Sequence, residues 1–395
     1  MTTAGGRARV FVDLSTLPPD GSSGGAARFT LSLLDALLSE PEPLDLHLLA
    51  KPGAEKALAP LVARGAVLHP LGPGLDAEEP RRIRRTLRRR AGGVARLLPD
   101  RGSLRQQGAG VLFSPLFTAL FHEPGLPHVA VAYDFQELSF PQFFDETELR
   151  RRAAFRADLR RADRVVAISS ATRDDGIDKA GLRPGKVLVV PPIVGAPLAP
   201  LDGERVAATL AGLGLAPGGF AFYPANYWPH KNHERLLAAA ARARNRVPGL
   251  RLVLCGALDD ARTALAARAD ALGLGEGVRL LPYLGGDDVE ALLQGARFLV
   301  FPSLFEGFGI PVLEAMGLGT PVTCSRLPSL REIAGGDALY FDPADEVSIA
   351  DALELLWTSG ETRRRLASDG RLRAESWAAL DVPAAYRKLL AFGGA

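Results

Sequence analysis

The stretch ARFLVFPSLFEGFGIPVLEAMGLG, residues 296–319, runs from an apolar segment through a glycine-rich loop into a second apolar segment. ARFLVFPS (296–303) is a short continuous run of β-forming apolar residues, the pattern of a strand buried on both faces. PVLEAMGLG (311–319) reads as a short helix closed by glycine, and Pro311 suits its first turn, where no amide hydrogen is needed. Between the two, Glu306 and Glu314 stand eight positions apart around Gly307 and Gly309. The amides of Gly307, Phe308, Gly309 and Ile310 precede the helix, where its dipole favours anions and hydroxyl oxygens. Glycine lets a ligand approach the backbone closely. A carboxylate at either edge accepts hydrogen bonds from paired hydroxyls. The residues fit a gripped, polyhydroxylated anion. They equally fit a plain glycine turn with Glu306 exposed and Glu314 capping the helix.

Outward from this stretch the theme repeats. In the second half, FAFYPA, RLVLCG, VRLLPY, TPVTCS and ALYFD are each followed by a helical segment. In the first half, ARVFVD leads through a glycine-rich loop into AARFTLSLLDALLSE, and VLFSP, HVAVAYD, RVVAIS and KVLVVPP follow. Strands alternating with helices predict α/β domains with parallel sheets. A chain of 395 residues exceeds what one ordinary core supports. PPIVGAPLAPLDGE (191–204) has linker composition, so two doubly wound domains joined near residue 200 are expected. In such sheets ligands bind beyond the carboxyl ends of the strands.

The composition excludes several classes. Hydrophobic residues make up 47% and charged residues 23%, as in soluble globular proteins. Net charge is +2, with the basic excess in the first 200 residues, too small to imply nucleic-acid binding. The N-terminus has no apolar signal core and no stretch approaches the roughly 18 apolar residues of a membrane span, so a cytosolic protein is expected. Cys255 and Cys324 lie in strand contexts and read as buried small hydrophobes in a reducing compartment. There is no D-x-D triplet and no ligand-spaced histidine cluster, so no metal site and no cofactor are expected. RRIRRTLRRRAGGVARLL (81–98) carries Ile83, Leu87, Val94 and Leu98 at helical spacing among many arginines. This fits either a peripheral helix against anionic lipid at the inner face of the cell membrane or a solvated helix packed by that stripe.

Residues 278–345, and within them EGFGIPVLEAMGLGTPV, resemble the signature region of family 4 retaining glycosyltransferases of the GT-B fold, including its Glu-x7-Glu pair. The resemblance implies two Rossmann-like domains facing a central cleft. An N-terminal acceptor-side domain would span 1–195, with a last helix within 378–395 crossing back to it, and a nucleotide-sugar domain would span 196–377. It also implies that Glu306 contacts hydroxyls of the transferred sugar, helped by the amides of Gly307, Phe308, Gly309 and Ile310, and that Glu314 holds the ribose. YPANYWPHKNHERLL (223–237) resembles the second donor motif, which implies that Lys231 meets the diphosphate and that Asn232, beside it, and Asn226, where many relatives have arginine, also bind the nucleotide sugar. Gly24 and Gly25 match the paired glycines near the diphosphate and acceptor. VAYDFQELSFPQFF (131–144) resembles the segment in which a histidine touches the sugar; here Tyr133 takes that place and Asp134 keeps the acidic one. Tyrosine can donate a hydrogen bond there but cannot act as a base near neutrality.

The implied activity is metal-independent transfer of a hexose, with retention, from a nucleotide-diphosphate sugar to a glycan, lipid-linked or small-molecule hydroxyl. The WPHKN segment resembles mannosyltransferase-like members, which favours GDP-mannose over UDP-sugars. Two other readings stay open at this point: an epimerase of the same fold, which would lack the full Glu-x7-Glu segment, and a catalytically silent sugar-nucleotide-binding homologue, which Tyr133 and Asn226 allow.

Overall fold

A computed structural model describes residues 9–18, 24–71, 103–118, 120–193, 200–257 and 259–391. The arginine-rich stretch 81–98 lies outside the described residues. The chain divides into two compact units, Met1–Ile193 together with Asp381–Ala395, and Val194–Leu380.

Among the described residues, the first unit holds seven strands: β1 (Arg9–Leu14), β2 (Asp45–Ala50), β3 (Val67–Pro70), β4 (Ala109–Ser114), β5 (His128–Ala132), β6 (Arg164–Ala167) and β7 (Val187–Val189). Their order is β3-β2-β1-β4-β5-β6-β7, and every pairing is parallel. The inner strands are largely apolar, as strands buried on both faces are; β5, HVAVA, is buried along its whole length. The sequence reading did not single out β2 and β3. Here β2 pairs with β1 over six residues, and β3 is a four-residue edge strand with no fully buried position. The helix Val382–Leu390 belongs to this unit: buried Tyr386 sits 6.2 Å from Phe29 and 5.8 Å from Phe113, and Arg387 pairs with Glu40 at 2.7 Å.

The second unit holds β8 (Ala221–Pro224), β9 (Leu252–Cys255), β10 (Val278–Leu281), β11 (Phe298–Phe301), β12 (Val322–Ser325) and β13 (Leu339–Phe341) among the described residues. The order is β10-β9-β8-β11-β12-β13, again all parallel. Counted within the unit this is 3-2-1-4-5-6, and the order reverses between β8 and β11. The loops leaving the carboxyl ends of those two strands flank the switch point, where open α/β sheets place ligands. Both cysteines are buried and free in this sheet, Cys255 on β9 and Cys324 on β12, and burial pushes the Cys255 thiol up to about 12. No helix among the described residues is long and apolar enough to cross a membrane.

Candidate active site

The loop after β8 is built turn by turn. Pro229 opens a 3-10 turn, Pro229–Lys231, whose fixed φ it supplies, and the Lys231 amide closes it onto the Trp228 carbonyl at 2.9 Å. The chain then reverses through Asn232, which at φ 62° is the one non-glycine residue in the left-handed region among those described. Asparagine tolerates that conformation better than most residues. From there the helix His233–Arg246 begins.

The side chain of Asn232 is committed inside the protein. Its amide donates to the carbonyls of Pro302, at 3.0 Å, and Pro343, at 2.8 Å, and its oxygen accepts from Arg235 at 2.8 Å. Both amide protons are thereby used. The sequence reading gave Asn232 to the nucleotide; the structure places it as a clip joining the loops after β8, β11 and β13.

The loop after β11 is held against the first. The Leu304 amide donates to the His230 carbonyl at 2.8 Å, and Ser329 holds the Glu306 carbonyl at 2.7 Å. Phe308 is buried, its ring edge-on to Trp377 at 5.5 Å. Gly309 sits at φ 115°, and a Cβ there would fall 2.5 Å from a methyl of Leu330, so glycine is required on both counts. The helix Ile310–Gly317 follows with Pro311 in its first turn, and the Val312 amide donates to the Gly309 carbonyl at 3.0 Å. Ile310, Pro311 and Glu314 keep partial exposure, whereas Val312, Leu313, Ala315 and Met316 are buried. Glu314 therefore lies on the accessible side of this helix.

Across these two loops, Lys231 Nζ meets Glu306 Oε1 at 2.7 Å, from positions 75 residues apart in sequence. Their side chains are only 15% and 13% exposed, so the pair is largely withdrawn from water, where electrostatic interactions are strengthened. The ammonium also lies 5.6 Å from the centre of the Phe301 ring, within cation–π range. The motif pair that the sequence read separately is one constellation.

Several residues that sequence reasoning passed over build the floor of the site. Gly256, at the end of β9, lets the neighbouring loop pass: a Cβ there would lie 2.2 Å from the Ala225 carbonyl oxygen. Its position directly after a strand was the available signal. Asn226, named above for the nucleotide, accepts from the Ala257 amide at 2.9 Å and so laces the β8 loop to the β9 loop. Tyr223 is wholly buried, with its hydroxyl 3.0 Å from the Lys231 carbonyl. His233 is buried between Tyr223 and Tyr227, with ring centres 4.9 and 5.0 Å away. Burial, and then the charge of Lys231, push its pKa down to about 3, so it stays neutral.

In the first unit the named residues take different positions. Gly24 and Gly25 open the helix Gly24–Ser39, and a Cβ added to Gly25 would meet nothing within 4 Å. Tyr133 follows β5 directly and is buried; its hydroxyl donates to the Pro115 carbonyl at 2.7 Å and lies 3.3 Å from Thr30 Oγ1. Burial pushes its pKa up, which keeps the phenol protonated. Asp134 pairs with Arg152 at 2.8 Å and accepts from the Gln136 amide at 3.1 Å. Arg152 also meets buried Glu137 at 3.1 Å and stacks over Phe144 at 4.5 Å.

Comparison with known proteins places this geometry. Residues 23–195 match Glycosyltransferase Family 4, and residues 217–373 match Glycosyl transferases group 1. The O-antigen chain mannosyltransferase B of Escherichia coli is 30% identical over 266 residues, 63% of this chain and 69% of that protein. The MMP alpha-(1->4)-mannosyltransferase of Mycolicibacterium hassiacum is 31% identical over 259 residues, 63% of this chain and 59% of that protein. A solved structure of Anabaena Alr3699/HepE in complex with UDP and glucose superposes with a TM-score of 0.72 at 18% identity, covering 98% of this chain and all of that one. The chain belongs to glycosyltransferase family 4 and has the GT-B fold. By that membership it is a sugar-transferring enzyme, as the Glu-x7-Glu resemblance implied.

Proposed function

We propose that this enzyme transfers a hexose from a nucleotide-diphosphate sugar to an acceptor hydroxyl with retention of configuration, and that its donor is GDP-mannose. The observation that carries the reading is the Lys231–Glu306 contact at the switch point of the second unit. Lys231 would meet the diphosphate and offset the charge that develops on the departing phosphate, the largest electrostatic demand of such a transfer. The Ile310 amide, at the start of Ile310–Gly317, would share that anion. Glu306 would turn from Lys231 to hydroxyls of the sugar, and Glu314, on the accessible side of the same helix, would hold the ribose. Gly24 and Gly25 would let the acceptor approach the backbone of the first unit, since neither packing nor a positive φ asks for glycine at Gly25.

In the retaining route the acceptor hydroxyl attacks the face from which the diphosphate leaves. The bond to the anomeric carbon breaks as the new one forms, and the departing phosphate oxygen takes the acceptor's proton. No protein base is required: burial depresses the His233 pKa to about 3, which makes it a poor proton acceptor, and keeps Tyr133 protonated. Tyr133 keeps its hydroxyl proton on the Pro115 carbonyl, while Arg152 orients Asp134. The route uses no metal and no cofactor beyond the nucleotide-sugar co-substrate. The mannosyltransferase names of the two relatives favour GDP-mannose; a UDP-sugar is the second reading, favoured by the UDP and glucose held by the HepE structure.

A thermal-shift screen with GDP, UDP, ADP and TDP tests the donor, because a ligand that binds only the folded state raises its apparent stability. Stabilisation by GDP above the others supports GDP-mannose. Stabilisation by UDP moves the donor to a UDP-sugar. No shift with any of the four contradicts the donor site.

A further inference from the structure

Tyr223 sits one residue before the end of β8 with no exposed surface, a position that a phenylalanine would fill as well by shape alone. Its ring is packed edge-on against Phe301 at 5.5 Å and covered by His233 at 4.9 Å. The hydroxyl is the anomaly, and its partners explain it. It lies 3.0 Å from the carbonyl oxygen of Lys231 and 3.2 Å from Ser303 Oγ. A phenol has one proton; given to the Lys231 carbonyl, it leaves the oxygen to accept from Ser303. Burial raises the Tyr223 pKa well above its ordinary value, with the Glu306 charge adding to the effect, so that proton stays in place.

The two partners belong to the two loops of the site. Ser303 lies three residues before Glu306 on the loop after β11, and the Lys231 carbonyl belongs to the loop after β8. One hydroxyl therefore ties together, from beneath, the loops whose tips carry the ammonium and the carboxylate. Lys231 is held at its amide by the Trp228 carbonyl and at its own carbonyl by Tyr223, so the root of its flexible side chain is fixed at both ends. We propose that Tyr223 is a positioning residue for the transfer reaction: its buried hydroxyl bridges the Lys231 carbonyl and Ser303, and thereby sets where the Lys231 ammonium stands relative to Glu306. The inference rests on the donor-site reading above, and its test separates the two.

Tyr223→Phe deletes one oxygen and keeps the packed ring. Turnover is read as release of the nucleoside diphosphate from GDP-mannose and from UDP-glucose. We expect kcat to fall about tenfold while KM for the donor moves less than about twofold, since a small misplacement weakens the transition state more than the ground state. In a Lys231→Ala background the same change should have no further effect on kcat, because residues acting through one another are not additive. Ser303→Ala, which removes the other end of the bridge, should reproduce the loss in smaller measure, and it stands in for Tyr223→Phe if that variant fails to fold. An unchanged kcat in Tyr223→Phe, or an equal loss with and without Lys231, would overturn the role of Tyr223 and leave the donor site intact. If Lys231→Ala alone leaves turnover unchanged, the donor-site reading falls and the role of Tyr223 with it.

Discussion

The two units share a sheet order through their first six strands, yet the polar groups at their strand ends do different things. In the first unit those groups are engaged within the protein, by main-chain and side-chain partners alike. Buried Asp13, at the end of β1, accepts from the amide and hydroxyl of Ser15 at 3.1 and 2.6 Å and from the Leu120 amide at 2.9 Å. Tyr133, just past β5, donates to the Pro115 carbonyl. In the second unit the equivalent service is performed by Asn232, Asn226 and Tyr223, which knit the loops from below. That leaves Lys231 and Glu306 facing each other above them. Topology provides a switch point twice. Under the proposed reaction, the second unit adds a layer of polar residues that satisfy the loops so that charged ones remain for the ligand.

The sharpest way to break this comparison is at Glu306. Glu306→Gln keeps the shape and removes the charge, and under the proposed reaction turnover should fall on the order of 100-fold. Circular dichroism should show the fold retained. Near-normal turnover would mean that the charged pair is structural.

A second test falls on the supporting layer. Asn232→Ala loses three hydrogen bonds and puts alanine in the left-handed region, so chemical denaturation should show a loss of about 2–4 kcal/mol. Asn232→Gly should recover about 1 kcal/mol of it, since glycine relieves the backbone but restores no bond. If Asn232→Ala left stability unchanged and abolished nucleotide binding, Asn232 would belong to the ligand rather than to the loops.

The smallest effect is expected in the first unit. Tyr133→Phe should cost about 1 kcal/mol of stability, the value of one internal hydrogen bond, and change turnover less than about twofold. A collapse of turnover at unchanged stability would show that this strand end does chemistry too, and the contrast between the units would fail.

The sequence already showed much of this architecture, for a physical reason. Strands buried on both faces are rich in apolar residues, and FLVF and HVAVA announce themselves in that way. β2 and β3 did not: DLHLLA is interrupted by His47, and VLHP is a short edge whose existence depends on pairing with a strand already in place. Lys231 and Glu306 were legible as motif residues. Their contact was not, because it requires β8 and β11 to be neighbours, and strand order is set by tertiary packing rather than by local pattern. Asn232 shows the opposite limit. A polar residue beside a motif lysine looks like a ligand contact, and only the fold reveals two proline carbonyls within reach of its amide. Tyr223 and Gly256 passed unnoticed because a tyrosine inside an apolar strand and a glycine after one are unremarkable until their neighbours are known.

Donor binding of the kind proposed depends most directly on the charge of Lys231. Isothermal titration of wild type and Lys231→Ala with GDP and guanosine, and with UDP and uridine alongside, isolates it. We predict that the diphosphate which binds wild type loses at least about tenfold in affinity, some 1.4 kcal/mol, while binding of its nucleoside is unchanged. Equal losses for the diphosphate and its nucleoside, or no loss for either, would contradict the assignment of this site to the donor diphosphate.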